Sequence, residues 1–303
     1  MHYLISGGTG FIGTALVKLL LADGHKVTVI TRSPEQTILG FGGRVFTVGL
    51  EKVGQIVEGI DGVINLAGAP IVDKRWSTER KQLLRNSRIG FTRTLIDQLK
   101  QASARPEFFI SGSAIGYYGS HEGGAPLTEN SPPVPGFTHS LCRDWEEAAL
   151  GAEKQLGCRV CLVRTGIVLG DGGALSKMIP PFKFGLGGPI GDGQQWMSWV
   201  HLSDEVAIIR FLMAHKTLFG AFNATSPNAV TNEVFSQALG AVLSKPAKVR
   251  MPAFMMKLLL GEASELLLEG QRVYPARLLD AGFEFTYPDL DRALKSVLQK
   301  AQP

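Results

Sequence analysis

The first 32 residues place an apolar run, a glycine-rich turn, an amphipathic segment and a second apolar run in direct succession. The turn reads Gly7-Gly8-Thr9-Gly10-Phe11-Ile12-Gly13, and the second apolar run occupies residues 26–32. A strand, a glycine turn, a helix and a second strand form a βαβ unit of the kind that binds a dinucleotide. This order predicts a parallel α/β fold with a nucleotide at the start of the first helix.

The glycines of the turn meet separate physical requirements. A sharp exit from a strand needs backbone angles that a Cβ disfavours. A pyrophosphate reaches the unpaired N–H groups at a helix N-terminus only where no side chain blocks it. Gly13 then lets the helix pack closely on the first strand. A glycine-rich turn alone is weak evidence, but its place between a strand and a helix favours a nucleotide site.

The end of the second strand indicates which nucleotide is bound. NAD sites usually carry an Asp or Glu there, which holds the ribose hydroxyls. This chain has Thr31-Arg32-Ser33 and no acid before Glu35. Because a guanidinium offers a fixed positive charge and a fork of donors suited to phosphate, the sequence favours NADP(H) over NAD. The alternative is that Arg32 is only a solvated surface charge.

Composition excludes several other classes of protein. The 303 residues are 45% hydrophobic and 19% charged, with a net charge of +4 and no run of Lys and Arg, so we expect no nucleic acid partner. No apolar run approaches 18 residues, and Met1 leads directly into the first strand, so we expect no membrane partner, no targeting segment and a cytoplasmic location. Cys158 and Cys161 belong to a strand-like run, which predicts buried structural thiols.

The rest of the chain continues the alternation of strands and helices. Apolar runs at residues 44–48, 62–68, 108–111 and 159–163 predict strands, and residues 78–99 and 139–155 predict helices. This pattern predicts a Rossmann-type, doubly wound parallel sheet. Glycine-rich loops then dominate residues 170–193. A strand is expected at residues 220–223, and helices at residues 231–243, 253–260 and 289–299.

Several motifs together resemble one family. Residues 6–13, 65–68, 113–119 and 200–204 resemble the extended short-chain dehydrogenase/reductases of the nucleotide-sugar epimerase and dehydratase type. Within that group, five stretches resemble the atypical, NADP-binding branch known as the epimerase family: residues 65–71, 74–76, 87–88, 184–190 and 270–272.

The resemblance implies a domain division and a cofactor site. It implies a Rossmann domain at residues 1–230, with substrate-side loops at residues 170–200, and a smaller C-terminal α/β domain on the substrate side at residues 231–303. The residues that would meet NADP(H) are, by position, Gly7, Gly10, Phe11, Ile12 and Gly13 at the pyrophosphate, Thr31 and Arg32 at the 2′-phosphate, Leu66, Ala67 and Gly68 beneath the dinucleotide, Arg88 facing the cofactor, and Val168 at the nicotinamide end.

The proton-transfer pair of that family is absent. Its members use a Tyr whose pKa is lowered by a Lys four residues later, because a free phenol is a poor base at neutral pH. None of the five tyrosines here precedes a Lys by four. Anchoring the helix on residues 145–146 puts Thr138 and Cys142 at the two positions, and a shift of one residue puts His139 and Arg143 there.

Substitutes lie near the end of the fifth strand. Ser113 is a candidate for the family's serine, although one alignment puts Ala114 at that position. Tyr117 and Tyr118 follow the strand, and His139 is a residue type that can exchange a proton near neutral pH. Each of these can equally be a packing or capping residue. No spacing indicates a metal site, and no Gly-x-Ser-x-Gly motif indicates a hydrolase.

Two functional hypotheses remain. The first is an NADP(H)-dependent oxidoreductase or epimerase with an unusual proton donor, acting on a carbonyl compound or a sugar-nucleotide-like small molecule. The second is an NADP(H)-binding sensor or regulatory protein with little catalysis. The sequence leaves the substrate unknown and does not distinguish a monomer from a homodimer.

Overall fold

The computed structural model describes residues 1–56, 59–102, 105–121 and 123–299. Their strands are β1 His2–Ser6, β2 Lys26–Ile30, β3 Phe46–Val48, β4 Gly62–Asn65, β5 Phe108–Ala114, β6 Arg159–Thr165, β7 Ile167–Leu169, β8 Trp196–Met197, β9 Trp199–His201, β10 Gly220–Ala224 and β11 Val230–Thr231. Their α-helices are α1 Phe11–Ala22, α2 Pro34–Gly40, α3 Val53–Ile56, α4 Thr78–Arg85, α5 Phe91–Leu99, α6 Phe137–Leu156, α7 Gly173–Lys183, α8 Leu202–Ala214, α9 Asn232–Val242, α10 Ala253–Leu260, α11 Glu265–Leu268, α12 Ala276–Asp280 and α13 Leu290–Gln299.

Seven strands form one parallel sheet in the order β10-β6-β5-β4-β1-β2-β3. The strand order reverses at β1, so the predicted doubly wound Rossmann-type sheet is confirmed. In such sheets ligands bind outside the carboxyl ends of the strands, at the reversal point. The ends of β1, β4, β5 and β6 therefore define the edge at which a site is expected.

Helix α1 packs on one face of this sheet as its periodicity predicts. Leu16, Val17 and Leu20 are buried on α1, and they share an apolar cluster with Tyr3 and Ile5 of β1. A second cluster on the opposite face joins α5 and α6 to the sheet. Both faces of the sheet are thus covered, which explains why the strands read as continuous apolar runs.

The predicted helix over residues 78–99 is interrupted. A π-helical turn at Asn86–Gly90 separates α4 from α5. At this turn Ser87 Oγ accepts a hydrogen bond from the N–H of Ala69 at 3.1 Å, and Arg88 Nη2 donates to the carbonyl of Ala69 at 2.9 Å. These contacts connect the wider turn to the loop that follows β4. Because they are tertiary contacts, the helical periodicity of the sequence could not predict the interruption.

The described residues after Thr231 form five α-helices and no strand. Helices α9 and α13 pack with α7, β8 and β9 in a third apolar cluster that includes Trp199, Phe235 and Leu294. Thr231 caps α9, since its side chain accepts from the N–H of Val234. None of the helices in the described part of the chain is long and apolar enough to cross a membrane.

The three cysteines are unpaired and buried. Cys158 belongs to the apolar cluster on the α6 side of the sheet, whereas Cys161 belongs to the cluster on the α1 side. The prediction that Cys158 and Cys161 are buried structural thiols is therefore confirmed.

One carboxyl group is buried in the apolar layer between α8 and the sheet. Glu205 Oε1 accepts a hydrogen bond from Thr165 Oγ1 at 2.8 Å, whereas Oε2 has no hydrogen-bond partner among the described residues. Burial raises the pKa of Glu205 to about 8, and the hydrogen bond from the Thr165 hydroxyl opposes this rise. The folded protein therefore holds a proton on Glu205 at neutral pH, whereas the unfolded chain does not.

This difference predicts that stability falls as pH rises. Below about pH 4.5 both states are protonated, and between there and about pH 8 only the unfolded chain loses the proton, which favours unfolding. We expect Glu205→Gln to remove a pH-dependent loss of roughly 3 to 5 kcal/mol in the free energy of unfolding. Urea unfolding at about pH 5 and about pH 9 measures it. Equal pH slopes in the wild type and the variant would contradict this assignment.

Candidate cofactor and substrate site

Backbone contacts in the glycine turn after β1 leave no room for a side chain at Gly7 or Gly13. Gly7 has a φ of 67°, and its carbonyl accepts from the N–H of Gly10 at 2.9 Å. A Cβ on Gly13 would lie 2.1 Å from that same carbonyl oxygen. A Cβ on Gly7 would lie 2.6 Å from the carbonyl oxygen of Leu66 in the loop after β4. The turn is therefore pressed between α1 and that loop.

The N-terminus of α1 has the features of an anion site. Gly10 is the N-cap residue and supplies no side-chain hydrogen bond, and the first turn of the helix contains no acid. The first N–H groups of an α-helix have no partner within the helix, so those of Phe11 and Ile12 remain available. A phosphate fits here because the glycines leave its approach open.

The side chain of Phe11 supports a glycine-rich loop that follows β7. A Cβ on Gly170 or Gly173 would lie 2.8 Å from the nearest atom of the Phe11 ring, and a Cβ on Gly172 would lie 3.2 Å from it. Val168 on β7 packs beside the same apolar cluster as Ile12. The loop thus lies against the start of α1, and Val168 is close to the edge at which a nicotinamide is expected.

Thr31 and Arg32 lie at the carboxyl end of β2. The Thr31 hydroxyl accepts from the N–H of Ser33 at 3.1 Å and contacts the hydroxyl of Thr37 at 3.0 Å. Arg32 is exposed and has neither an ion pair nor a hydrogen-bond partner within the described ranges. Its guanidinium is therefore available to a phosphate at this edge of the sheet.

Arg88 lies against the loop Leu66–Gly68 and not on the solvent side of its helix. A Cβ on Gly68 would lie 3.1 Å from the guanidinium carbon of Arg88, which also lies 5.3 Å from the centre of the Trp145 ring. Burial lowers the pKa of Arg88. Ala67 is held by its N–H, which donates to Ser6 Oγ at 3.2 Å. This loop and Arg88 form one continuous wall beside the glycine turn.

Ser113 is engaged in a buried charged network at the end of β5. Its hydroxyl donates to Glu146 Oε1 at 2.6 Å, and Arg164 donates to the two oxygens of that carboxylate at 2.8 and 2.9 Å. Glu146 and Arg164 are only 6% and 4% exposed. Burial alone would lower the pKa of Arg164, but the Glu146 carboxylate outweighs it and raises that pKa above its usual range.

Tyr118 belongs to the same network. Its hydroxyl donates to Asn223 Oδ1 at 2.6 Å and accepts from Arg164 Nη1 at 3.0 Å, and the side chain is fully buried. Burial raises the pKa of Tyr118 to about 12, although Arg164 opposes this rise. Both the position and the pKa of this hydroxyl favour a structural role.

Tyr117 has a different environment. It is half-buried, its ring centre lies 3.4 Å from the guanidinium carbon of Arg164, and its hydroxyl has no hydrogen-bond partner among the described residues. His139 lies edge-on to the ring at 5.3 Å, and its Nδ1 contacts the backbone carbonyl of Tyr117 at 2.6 Å. Of the two tyrosines, Tyr117 is therefore the one whose hydroxyl is free to meet a ligand.

The structure resolves the register of α6 that the sequence left open. Thr138 and Cys142 are buried, and a Cβ on Gly116 would lie 3.3 Å from Thr138 Cβ and 3.6 Å from Cys142 Sγ. Arg143 is exposed and bonds to Asp144. Burial raises the pKa of Cys142 to about 12. The inward positions thus hold a threonine and a neutral thiol, and neither is a base at neutral pH.

A cavity of about 850 Å³ lies between the C-terminal helices and the loop at residues 191–192. Five of its lining side chains carry charge: Asp192, Lys257, Glu262, Glu265 and Glu269. Ser120, just after Tyr117 and Tyr118, donates to Glu269, and Lys81 of α4 pairs with Glu262. These contacts join the cavity wall to the segment that follows β5 and to helix α4. No group of three or more metal-ligating side chains occurs within the residues the structure describes.

Comparison with known proteins identifies the family to which the chain belongs. Residues 3–224 match the model of the NAD dependent epimerase/dehydratase family. The chain belongs to this family. A second model, a domain of unknown function (DUF1731), matches residues 251–297. The family predicted from the sequence motifs is thereby confirmed.

Similar proteins come from distant organisms. An Arabidopsis thaliana protein described as "Epimerase family protein SDR39U1 homolog, chloroplastic" is 42% identical over 306 residues, which cover 99% of this chain and 87% of the plant protein. The Mus musculus protein "Epimerase family protein SDR39U1" is 36% identical over 307 residues, which cover 98% of this chain and all of the mouse protein.

A solved structure agrees with the fold over its whole length. Human epimerase family protein SDR39U1 (isoform 2), crystallised with NADPH, superposes with a TM-score of 0.89 at 33% identity, covering 99% of both chains. The UDP-glucose 4-epimerase of Thermotoga maritima superposes with a TM-score of 0.82 at 18% identity, which supports the fold alone. The NADPH in the human structure agrees with the nucleotide predicted from Arg32.

Sequence reasoning overlooked the Glu146–Arg164 pair. Arg164 directly follows the apolar run at residues 160–163 of β6, and Glu146 falls on the inward face of α6, so each is a charge at a position expected to be buried. Since buried charges in proteins are nearly always paired, this coincidence was the available signal. The partner of Tyr118, Asn223, had no comparable signal.

Proposed function

We propose that this protein binds NADP(H) and exchanges a hydride with a carbonyl-containing small molecule, using Tyr117 as the proton donor. The observation that carries the proposal is the uncapped N-terminus of α1, which the glycine turn leaves open, with the unpaired Arg32 at the end of β2. An anion-binding helix end and a free guanidinium at neighbouring strand ends suit a dinucleotide with a 2′-phosphate.

Different residues of the chain bind different parts of that dinucleotide. The backbone of Gly7, Gly10 and Gly13 leaves room for the pyrophosphate, and the N–H groups of Phe11 and Ile12 bind it. Thr31 and Arg32 bind the 2′-phosphate. The wall formed by Leu66, Ala67, Gly68 and Arg88 supports the dinucleotide from below, and Val168 lies at its nicotinamide end.

Bound NADP(H) supplies or accepts the hydride. The protein must then give or take a proton at the substrate oxygen, and among the sequence candidates only Tyr117 combines partial exposure with an uncommitted hydroxyl. Arg164 stacks on its ring and His139 holds its backbone carbonyl, so the side chain is positioned from two sides. Ser113 and Tyr118 hold the network that keeps Arg164 in place.

If the substrate occupies the cavity between the C-terminal helices and residues 191–192, the charges of that cavity favour an uncharged molecule. Four carboxylates and one lysine line it, and burial together with Glu269 and Glu262 raises the pKa of Glu265. A nucleoside diphosphate would add two negative charges to this surface, which like-charge repulsion opposes. Within the predicted substrate classes, we therefore favour a neutral carbonyl compound over a sugar nucleotide.

Replacing Arg32 by alanine tests the cofactor. The loss of charged hydrogen bonds to a 2′-phosphate is expected to weaken NADPH binding by about 10- to 100-fold, which corresponds to roughly 1.5 to 3 kcal/mol. NADH binding stays unchanged, because NADH lacks that phosphate. Fluorescence titration with both nucleotides measures this selectivity, and Arg93→Ala, an exposed arginine on α5, is the control. Equal weakening of NADH and NADPH binding would refute the assignment.

Replacing the two tyrosines separately tests the reaction. Tyr117→Phe is expected to lower kcat/KM by about 100- to 10,000-fold across a panel of neutral aldehydes and ketones, because a general acid is lost. NADPH affinity and the melting temperature stay unchanged. Tyr118→Phe instead lowers the free energy of unfolding by about 1 to 3 kcal/mol, because Asn223 and Arg164 lose a buried partner. Full turnover by Tyr117→Phe would rule out Tyr117 as the donor.

A second candidate function is an NADP(H)-binding sensor. It is favoured by the commitment of Ser113, Glu146 and Tyr118 to one buried network and by the buried Thr138 and Cys142 at the inward positions of α6. It predicts tight NADPH binding without turnover of the panel, and slower proteolysis or hydrogen exchange of the loop at residues 170–173 when NADPH is bound. Identical exchange with and without NADPH would argue against it.

Other features predicted from the sequence also remain proposals. They are the division into residues 1–230 and 231–303, the cytoplasmic location, and a monomeric or homodimeric state.

A further inference from the structure

Two segments of the chain contain basic residues and no acid. Residues 172–191 and 234–261 include no Asp or Glu, and together they contain Lys177, Lys183, Lys245, Lys248, Arg250 and Lys257. Since the whole chain has 31 Lys and Arg against 27 Asp and Glu, the remaining residues are net acidic. The positive charge of this protein is therefore concentrated in two short segments.

The two segments lie side by side. The N–H of Val249 donates to the carbonyl of Gly187 at 3.2 Å, and the N–H of Met251 donates to the carbonyl of Pro189 at 2.8 Å. Helix α10 begins two residues after Met251. Residues 183–186 and 245–259 thus contribute to one surface, called here the basic apolar face.

Large apolar side chains project from this face. Phe184 is 81% exposed, Phe254 and Leu258 are each 69% exposed, and Leu186 and Leu259 are 63% and 59% exposed. Helix α10, Ala253-Phe-Met-Met-Lys-Leu-Leu-Leu260, buries none of its eight residues. Such a cluster of exposed apolar side chains indicates a binding surface.

The charges around these side chains are mostly unpaired. Within the described residues, Lys183, Lys245, Lys248 and Lys257 make no ion pair, and Arg250 pairs with Glu233 at 2.7 Å. A second copy of the same face is a poor partner, because two sets of mostly unpaired cations would repel each other. The partner must therefore be both apolar and anionic.

We propose that the basic apolar face binds the surface of an anionic lipid bilayer, with Phe184, Phe254 and Leu258 inserted at headgroup level. Exposed Phe and Leu flanked by Lys and Arg are the features of interfacial membrane segments. Cations near such a surface are attracted by its negative potential. The side chains project from a loop and a short helix, which suits a fluid interface better than the matched surface of an acidic protein.

This contact is peripheral and requires no spanning helix. The sequence-based expectation of no membrane partner rested on the lack of a long apolar run, whereas the present proposal rests on a face assembled from two distant segments. It is independent of the proposed function, because the binding test needs neither cofactor nor substrate.

Co-sedimentation with lipid vesicles tests the proposal. The full-length protein is expected to bind vesicles made from an equal mixture of phosphatidylcholine and phosphatidylglycerol. It is expected to bind vesicles of pure phosphatidylcholine far more weakly. Lys183→Gln and Lys248→Gln are each expected to lower the partition coefficient about fivefold. Phe254→Ser is expected to lower it about tenfold. Added salt weakens binding because it screens the charges.

Matched substitutions elsewhere serve as controls. Phe219 is 67% exposed but lies outside this face, and Lys18 on α1 is exposed, so Phe219→Ser and Lys18→Gln leave binding unchanged. Equal binding to both kinds of vesicle, or no binding at low salt, would overturn the proposal. So would variants of the face that bind vesicles normally but lose self-association or binding to an acidic polypeptide, because a protein would then be the partner.

Discussion

Gly13→Ala is expected to abolish the binding of NADPH. The added methyl carbon would lie 2.1 Å from the carbonyl oxygen of Gly7 and 2.8 Å from Gly8 Cα, and both are backbone atoms that no side-chain rotation can move aside. Either α1 moves away from the turn or the turn opens. Misplacement of binding groups by about 1 Å costs on the order of 100-fold, so we expect the Kd for NADPH to rise at least that much. Isothermal titration calorimetry measures it.

A second glycine provides the control. Gly40 lies in α2 with an ordinary φ, and a Cβ there meets no atom within 4 Å. Gly40→Ala should therefore bind NADPH as the wild type does. Circular dichroism of Gly13→Ala separates local damage from unfolding. Wild-type affinity in folded Gly13→Ala would show that the cofactor does not use the start of α1.

Glu146→Leu is expected to have the largest effect on stability. It leaves the guanidinium of Arg164 buried without its carboxylate and removes the acceptor of the Ser113 hydroxyl. Breaking a buried ion pair on one side costs about 3 to 5 kcal/mol, because the remaining charge stays desolvated. Urea unfolding measures this change in the free energy of unfolding. Turnover should fall as well, since Arg164 positions the ring of Tyr117.

The double variant Glu146→Leu/Arg164→Met distinguishes the pair from simple loss of packing. Removing both charges eliminates the uncompensated guanidinium, so stability should recover by several kcal/mol relative to Glu146→Leu. Glu147→Leu, an exposed neighbour on α6, is the control and should change stability little. If the double variant is less stable than Glu146→Leu, the pair contributes more by its hydrogen bonds than by charge compensation.

The βαβ unit was predictable because its information is local. The glycine turn, the apolar face of α1 and the second strand all lie within the first 32 residues, and each follows from short-range geometry. The extension of β5 to Ala114 was not predictable in the same way. It depends on pairing with residues 163–165 of β6, which lie about fifty positions later in the chain.

Within the candidate site, too, the locally encoded residues were predictable and those with distant partners were not. The cofactor positions follow from motifs at the ends of strands, whereas the roles of Tyr117 and Tyr118 depend on distant partners such as Asn223, 105 residues after Tyr118. The register of α6 also stayed open, because a shift of one residue turns a helix by about 100° and the apolar pattern near Thr138 tolerates either setting. Only the packing against Gly116 fixes it.

Helix α10 is a wall shared by two surfaces. Ala253 and Lys257 line the acidic cavity, whereas Phe254 and Leu258 of the same helix project outward. Thermodynamic linkage then makes the two sides reciprocal: a ligand in the cavity that changes the position of α10 alters the affinity of its outer side, and an outer partner alters the affinity of the cavity by the same factor. Occupancy inside the protein and attachment outside it would then be coupled through the eight residues of α10.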